Sequence, residues 1–186
     1  MASVVVPFRA ASAKRRLEPL DEETRTDVAH RMLANVIAAA TAVGPTVLVT
    51  EKDATGARAL ALEHGAKVVD DPGNGQGAAV GAGLLAIPEW PVLVVNADLP
   101  DVQPRDLLAL LGAMPEHGIA IAPASDGTTN ALALAKAGLF EPLYGRGSAG
   151  RFRAHAEERG IDVMELAAPA LARDVDTVAE LEHVTR

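Results

Sequence analysis

No cysteine occurs in the 186-residue chain. A disulfide scaffold, a thiolate zinc site and cysteine nucleophilic catalysis are thereby excluded. Aromatic residues are scarce, at 3%, and 17 Lys and Arg face 25 Asp and Glu, for a formal charge of −8. A nucleic-acid binder needs a basic face or stacking rings, so the composition argues against that class. Long apolar runs are missing too. Pro91 to Val95 is among the longest, far short of the ~20 residues of a spanning helix. Met1-Ala2-Ser3 leads straight into Val4-Val5-Val6, with no basic segment before a long apolar one, so no signal peptide is expected. The expectation is a cytoplasmic protein that touches neither membrane nor nucleic acid.

What is present is the composition of a globular protein, 49% hydrophobic and 23% charged. At roughly 100–200 residues per domain, residues 1–186 are expected to form one domain with a full core. The 37 alanines favour slim, closely packed helices, and the apolar helices suggest a homodimer.

Strand and helix patterns alternate along the chain. Ser3–Val6, Thr46–Thr50, Lys67–Val69, Pro91–Asn96, Ile119–Ala122 and Ala131–Ala135 read as strands. The uninterrupted apolar run at Pro91–Asn96 suits a central parallel strand. Helices are expected from about Glu23 to Ala42, from Asp53 as N-cap through His64, from Gln76 to Ala86 and from Pro104 at N1 to Met114. Two more run from Ser148 as cap to Arg159, and after a Thr177 cap. Gly65 sits where a C′ glycine belongs. Strand, crossover helix and strand again is the sequence form of an α/β protein with three layers, α/β/α, around a mostly parallel sheet.

In open α/β sheets ligands sit beyond the carboxyl ends of the strands, and five segments there carry chemistry. After the first strand, Arg9, Lys14, Arg15 and Arg16 put four cations within eight residues. Such a loop can wrap triphosphate oxygens, with Arg9 and Lys14 as charge donors. It lacks the spacing of a P-loop. Asp71-Pro72-Gly73-Asn74-Gly75-Gln76 is a turn whose glycines admit a ligand close to the backbone, and Gln76 can read a nucleobase edge. Asp98, after the central strand, is placed either as a hard-metal ligand or as a turn carboxylate. Asp126-Gly127-Thr128-Thr129-Asn130 offers hydroxyls to oxyanions, and Gly145-Arg146-Gly147-Ser148 is a glycine turn entering a helix, a ready anion site. Asp174 and Asp176 alternate with Val175, so in extended chain both carboxylates face one way. Like charges so placed repel unless a cation lies between them; with Asp98 they suit magnesium, the alternative being surface aspartates that cap the last helix. The five histidines fall at no metal-ligand spacing.

Together, Ala13-Lys14-x-Arg16-Leu17, Asp71-Pro72-Gly73-x-Gly75, Asp98-Leu99-Pro100, Gly127-Thr128-Thr129-Asn130, Gly145-x-Gly147-Ser148 and Asp174-Val175-Asp176-Thr177 resemble the 2-phospho-L-lactate guanylyltransferase family, whose actinobacterial branch uses phosphoenolpyruvate. The motifs occur in the same order and span nearly the whole chain. The resemblance implies a nucleotidyltransferase fold of the GT-A type, the Rossmann-like fold of nucleotide-diphospho-sugar transferases. It implies transfer of GMP from GTP to a small phosphorylated three-carbon acid in the synthesis of the deazaflavin coenzyme F-420. By the same resemblance Asp98, Asp174 and Asp176 hold magnesium and, with Lys14, carry catalysis. Lys14 and the Asp71, Gly73 and Gly75 loop hold GTP, alongside Arg9 and Gln76. Thr129, Gly145 and Ser148 bind the phosphoacid. Arg9 stands where that family commonly has lysine, and Gln76-Gly77 where Leu-Asn is common. Two other readings compete: a guanylyltransferase for another acceptor, of the molybdenum-cofactor type, and a non-catalytic nucleotide-binding module.

Overall fold

Valine-rich β-branched runs are stiff at χ1 and pack well on a pleated surface, and such runs supply most of the sheet. The computed structural model describes residues 1–9 and 21–174. Its strands are β1 (Ser3–Pro7), β2 (Thr46–Thr50), β3 (Lys67–Asp70), β4 (Val92–Val95), β5 (Ile119–Pro123), β6 (Thr129–Leu134) and β7 (Val163–Glu165). The helices are α1 (Glu22–Val43), α2 (Thr55–Glu63), α3 (Gln76–Leu84), α4 (Pro104–Ala113), α5 (Ser148–Glu158) and α6 (Pro169–Ala172). The seven strands lie in the order β3-β2-β1-β4-β6-β5-β7.

Strand pairing is parallel except around β6, which runs antiparallel to both β4 and β5. The short loop Ala124–Thr128 folds β6 back on β5 as a hairpin, since no crossover helix separates them. Because β6 is reversed, its first residues lie at the edge where β4 ends. The pair Val95↔Ala131 fixes that register, and the Asn96 amide donates to the Asn130 carbonyl at 2.9 Å.

Alternation along the strands splits the core in two. Val4, Val6, Leu48, Leu93 and Val95 face one side, against Leu33 and Ile37 of α1, Ala61 of α2 and Leu107 and Leu110 of α4. Val5, Val47, Val49, Val94, Ile121 and Leu132 face the other, against Val80 of α3 and Phe152 and Ala156 of α5. The layers are therefore α/β/α, as the alternating pattern requires. Helix α3 approaches the sheet so closely that a Cβ on Gly83 would lie 2.4 Å from Val5 Cγ1.

Several boundaries differ from expectation. Helix α2 begins at Thr55 with Ala54 in the N-cap place, and no side chain caps it; the Asp53 carbonyl instead accepts from Thr55 in a turn. At its other end the expectation holds. Gly65 at φ 77° lets its amide reach the Leu62 carbonyl and that of Ala66 reach Ala61, a Schellman closure. Asp21 caps α1 through Thr24 N–H at 2.9 Å. Thr129 and Asn130, expected in a loop, open β6. Strand β7 and helix α6 were not anticipated, because three and four residues are too few for periodicity to register. The Thr177 cap and terminal helix lie outside the described residues. Among those described, no helix is long and apolar enough to cross a membrane.

Candidate functional site

Five chain segments converge at the carboxyl edge of the sheet. Beyond β4, the loop carrying Asp98 is anchored from α1: the Asn35 amide donates to the carbonyls of Pro100 at 2.7 Å and Val102 at 3.2 Å. Beyond α6, the segment carrying Asp174 is anchored by the Ser125 amide and the buried Asn130 side chain, which donate to Ala172 and Leu171 carbonyls at 3.2 and 2.9 Å. Arg173 also lies 3.5 Å from Asp101 across the two segments. Asp98 and Asp174 consequently line one cavity of about 260 Å³.

The rest of that cavity's lining is polar and rich in hydroxyls. Thr129, Tyr144, Gly145, Arg146 and Ser148 make it up, with Gln76, Asn96, Asp126 and Thr128. Ser148 and Thr129 are buried, and the Ser148 hydroxyl donates to Thr129 Oγ1 at 3.0 Å. Ser148 is therefore not the helix cap expected of it. Gly147, left-handed at φ 69°, holds the N-cap place, and Ser148 is the first residue of α5. Nor are the first-turn amides all open to a ligand, since Ser148 N–H donates to the Gly145 carbonyl and Ala149 N–H to that of Gly127. The Asp126 carboxylate accepts from Thr128 N–H and Oγ1–H at 2.8 and 2.7 Å, shaping the β5–β6 turn.

A chain of side-chain amides joins the walls. Gln76 Nε2 donates to Asn96 Oδ1 at 2.7 Å, and Asn96 Nδ2 donates to the Thr129 carbonyl at 3.1 Å and to Asn130 Oδ1 at 3.4 Å. Gln76, expected at a nucleobase, thus lies on the cavity of Thr129 and Ser148 with one donor taken by Asn96 (the amide orientation follows from the hydrogen-bond network). Asn130, expected to offer its amide to an oxyanion, instead donates to the Leu171 carbonyl, and Asn96 carries no expected role of its own. Their signal, polar residues at the ends of apolar strands, was visible without indicating a partner.

Arg9 and Asp71 meet at the next carboxyl edge. Arg9 Nε and Nη2 donate to Asp71 Oδ2 and Oδ1 at 2.5 and 3.1 Å, and Gly73 N–H adds a bond of 2.8 Å to Oδ1. The Asp71 side chain is almost wholly buried. Hydrogen bonding from Arg9 outweighs burial and holds the Asp71 carboxyl below its ordinary range, while bonding to Asp71 raises the Arg9 guanidinium. The bidentate fork fastens the glycine-rich turn to the exit of β1. Gly73 and Gly75, with φ of 87° and 93°, adopt backbone that only glycine takes readily. Lys14 and Asp176 lie outside the described residues; of the aspartates expected at a metal, Asp98 and Asp174 line the cavity, and Arg9 of the basic loop is paired with Asp71.

Two hard oxygen donors on one cavity suit a magnesium ion, which takes one or two carboxylates and completes its shell with water and phosphate. Residues 2–185 match the family described as Guanylyl transferase CofC like. The chain belongs to that family.

Relatives of the CofC-like chain include a 2-phospho-L-lactate guanylyltransferase of Halomicrobium mukohataei, 39% identical over 97% of this chain and 84% of the relative. A phosphoenolpyruvate guanylyltransferase of Streptomyces coelicolor is 34% identical over 96% and 87%. Another of that name, from Sphaerobacter thermophilus, is 45% identical over half of this chain and 45% of its own length. These enzymes are nucleotidyltransferases, and so is the family member described here. Among solved structures, a protein from Desulfovibrio desulfuricans G20 described by assignment as a nucleotide-diphospho-sugar transferase superposes with a TM-score of 0.82 at 15% identity, covering all of this chain and 87% of that one. Mycobacterium tuberculosis Rv0371c, solved with manganese, gives 0.60 at 21% identity over 98% and 96%. At such identities the likeness is one of fold, and it places this CofC-like chain in the nucleotide-diphospho-sugar transferase architecture.

Proposed function

We propose that the protein transfers GMP from GTP to phosphoenolpyruvate or 2-phospho-L-lactate, releasing pyrophosphate, in the biosynthesis of coenzyme F-420. One observation carries this reading: the carboxylates of Asp98 and Asp174 face the same cavity as the buried Thr129–Ser148 hydroxyl pair and the Gly145 turn. Such a cavity suits a small acid with two anionic ends, one toward a metal and one toward hydroxyls and amides.

An oxygen of the acceptor's phosphate attacks the α-phosphorus of GTP. One P–O bond forms there, and the bond from the α-phosphorus to the bridging oxygen of pyrophosphate breaks. The attacking group carries about −1.5 to −2 charge at pH 7 and needs no general base. What the residues supply is alignment and neutralised repulsion. Thr129, Gly145 and Ser148 hold the acceptor. The Asp71–Gly75 turn, fastened by Arg9, admits the triphosphate close to its backbone, with Lys14 as a further cation and Gln76 bordering both substrates. Magnesium, held by Asp98, Asp174 and Asp176, would neutralise phosphate charge and orient the α-phosphate.

The test is to offer GTP and magnesium with phosphoenolpyruvate, 2-phospho-L-lactate and 3-phosphoglycerate separately, scoring pyrophosphate and the GMP adduct by mass. One of the first two should give both products. Pyrophosphate with none of the three acids would sink the reading.

A further inference from the structure

Arg151, on the first turn and a half of α5, spends its guanidinium on backbone. Nε and Nη2 donate to the Leu143 carbonyl at 3.2 and 2.8 Å, Nη2 to that of Tyr144 at 3.0 Å, and Nη1 to that of Arg146 at 2.5 Å. One planar fork thus gathers three carbonyls of a single loop, and Nη2 lies 3.5 Å from where a Cβ on Gly145 would stand.

Peptide planarity turns this clamp into a statement about the amides. In a trans peptide the carbonyl of one residue and the N–H of the next point in opposite directions. Carbonyls of 143, 144 and 146 drawn to Arg151 therefore send the amides of Tyr144, Gly145 and Gly147 away from it. Tyr144, Gly145 and Arg146 line the cavity and Arg151 does not. Among the described residues no main-chain carbonyl accepts from those three amides, whereas the neighbouring amides of Leu143 and Ser148 are already bonded to Glu141 and Gly145. Gly145 and Gly147, at φ 111° and 69°, permit the successive reversals. Closely spaced amides turned one way form a concave nest for an oxyanion.

We infer that Arg151 is a positioning residue for the acceptor, turning the adjacent amides of Tyr144 and Gly145 toward the cavity as a nest for one of the acid's anionic groups. This rests on reading the cavity as the acceptor site. Arg151 acts through the loop and does not itself touch the ligand. A lysine keeps the charge but cannot hold three carbonyls in one plane.

The experiment compares wild type, Arg151→Ala, Arg151→Lys and Arg153→Gln. Arg153 lies on the same helix and pairs instead with Glu165 at 2.7 Å, so its loss removes equal charge without freeing the loop. Phosphoenolpyruvate affinity is read by titration calorimetry in magnesium, and the KM values of acceptor and GTP by pyrophosphate release. Both Arg151 variants should weaken phosphoenolpyruvate tenfold or more with the GTP KM within about twofold, and Arg153→Gln should change neither. Millimolar methylguanidinium should restore affinity to Arg151→Ala. Titrations with inorganic phosphate and with pyruvate identify the held group, since the arm that weakens in the Arg151 variants names it. Unchanged phosphoenolpyruvate affinity in Arg151→Lys, or an equal loss in Arg153→Gln, overturns the inference while leaving guanylyl transfer standing. Wild type that binds phosphoenolpyruvate yet releases pyrophosphate with neither phosphoenolpyruvate nor 2-phospho-L-lactate overturns guanylyl transfer, and the affinity ratio still decides Arg151.

Discussion

Arg9 and Asp71, 62 positions apart, form a two-pronged ion pair whose carboxylate is nearly sealed from water. It joins the exit of β1 to the turn that follows β3. Removing one partner of such a pair leaves the other charge desolvated. Asp71→Asn should cost about 1–3 kcal/mol, less than a fully buried pair because Arg9 stays 31% exposed. It should also raise the GTP KM by loosening the Gly73–Gly75 turn. A folded-state carboxyl held low contributes stability above the unfolded value of about 3.9 and loses it as pH falls through the folded value. The stability gap between wild type and variant should therefore be full at pH 6–8 and close in acid below pH ~4, as chemical denaturation over that range would record. A gap independent of pH would contradict the pair.

Asp98→Asn and Asp174→Asn should each abolish turnover at saturating magnesium and leave the fold intact. Each substitution keeps the size and shape of the side chain, so the melting temperature should stay close to that of wild type. Pyrophosphate release and thermal melting of the two variants check this, and turnover like wild type in both would remove the metal role from this cavity.

Ser148→Ala should raise the acceptor KM about tenfold, roughly 1.5 kcal/mol, because the Ser148 hydroxyl, by donating to Thr129 Oγ1, leaves the Thr129 O–H to donate to the acid's anionic group. Because the hydroxyl bonds Thr129 and not the helix end, the stability loss should be that of one buried hydrogen bond, about 1 kcal/mol. A lowered melting temperature with an unaltered acceptor KM would leave the pair a purely structural one.

Gly83→Ala and Gly81→Ala should move stability in opposite directions. Both sit in α3, where alanine gains about 1 kcal/mol in helix propensity. At Gly81 nothing lies within 4 Å of the added methyl, whereas at Gly83 it would press on Val5 and Val49 of the sheet. Overpacking of that kind costs about 1–3 kcal/mol, so Gly83→Ala should melt lower and Gly81→Ala higher. Denaturant midpoints of the two variants decide it.

Tyr144 is the only tyrosine of the chain, and its hydroxyl is buried with no hydrogen-bond partner among the described residues. Burial pushes its pKa well above that of free tyrosine. A raised folded value keeps its stabilising effect below the unfolded pKa of about 10 and loses it as pH rises beyond. Tyr144→Phe should match or exceed wild-type stability at pH 7 and hold it better above pH 10. A spectrophotometric titration of the folded wild type should show no tyrosinate until the protein unfolds.

The sequence by itself determined the layers, because the period-2 and period-3.6 patterns are local and strong. Thr46–Thr50 and the Pro104 start of α4 fall where apolar spacing and proline geometry put them. Asp98, Thr129, Gly145 and Ser148 stood out as candidates because each stands at a strand end or in a glycine turn, and Asp174 because it alternates with Asp176. Only the tertiary structure decided what those residues meet. The reversal of β6 is set by a five-residue loop whose direction no periodicity encodes, and that reversal brings Thr129 and Asn130 beside Asn96. Ser148 reads locally as a cap, yet its hydroxyl turns to Thr129, nineteen positions away, once α5 docks on the sheet. Arg9 reads as a phosphate-binding cation, yet a buried carboxylate from another loop claims its fork. Hydrogen bonds and ion pairs between distant segments depend on where packing puts the backbone, and side-chain chemistry alone leaves that partner unspecified.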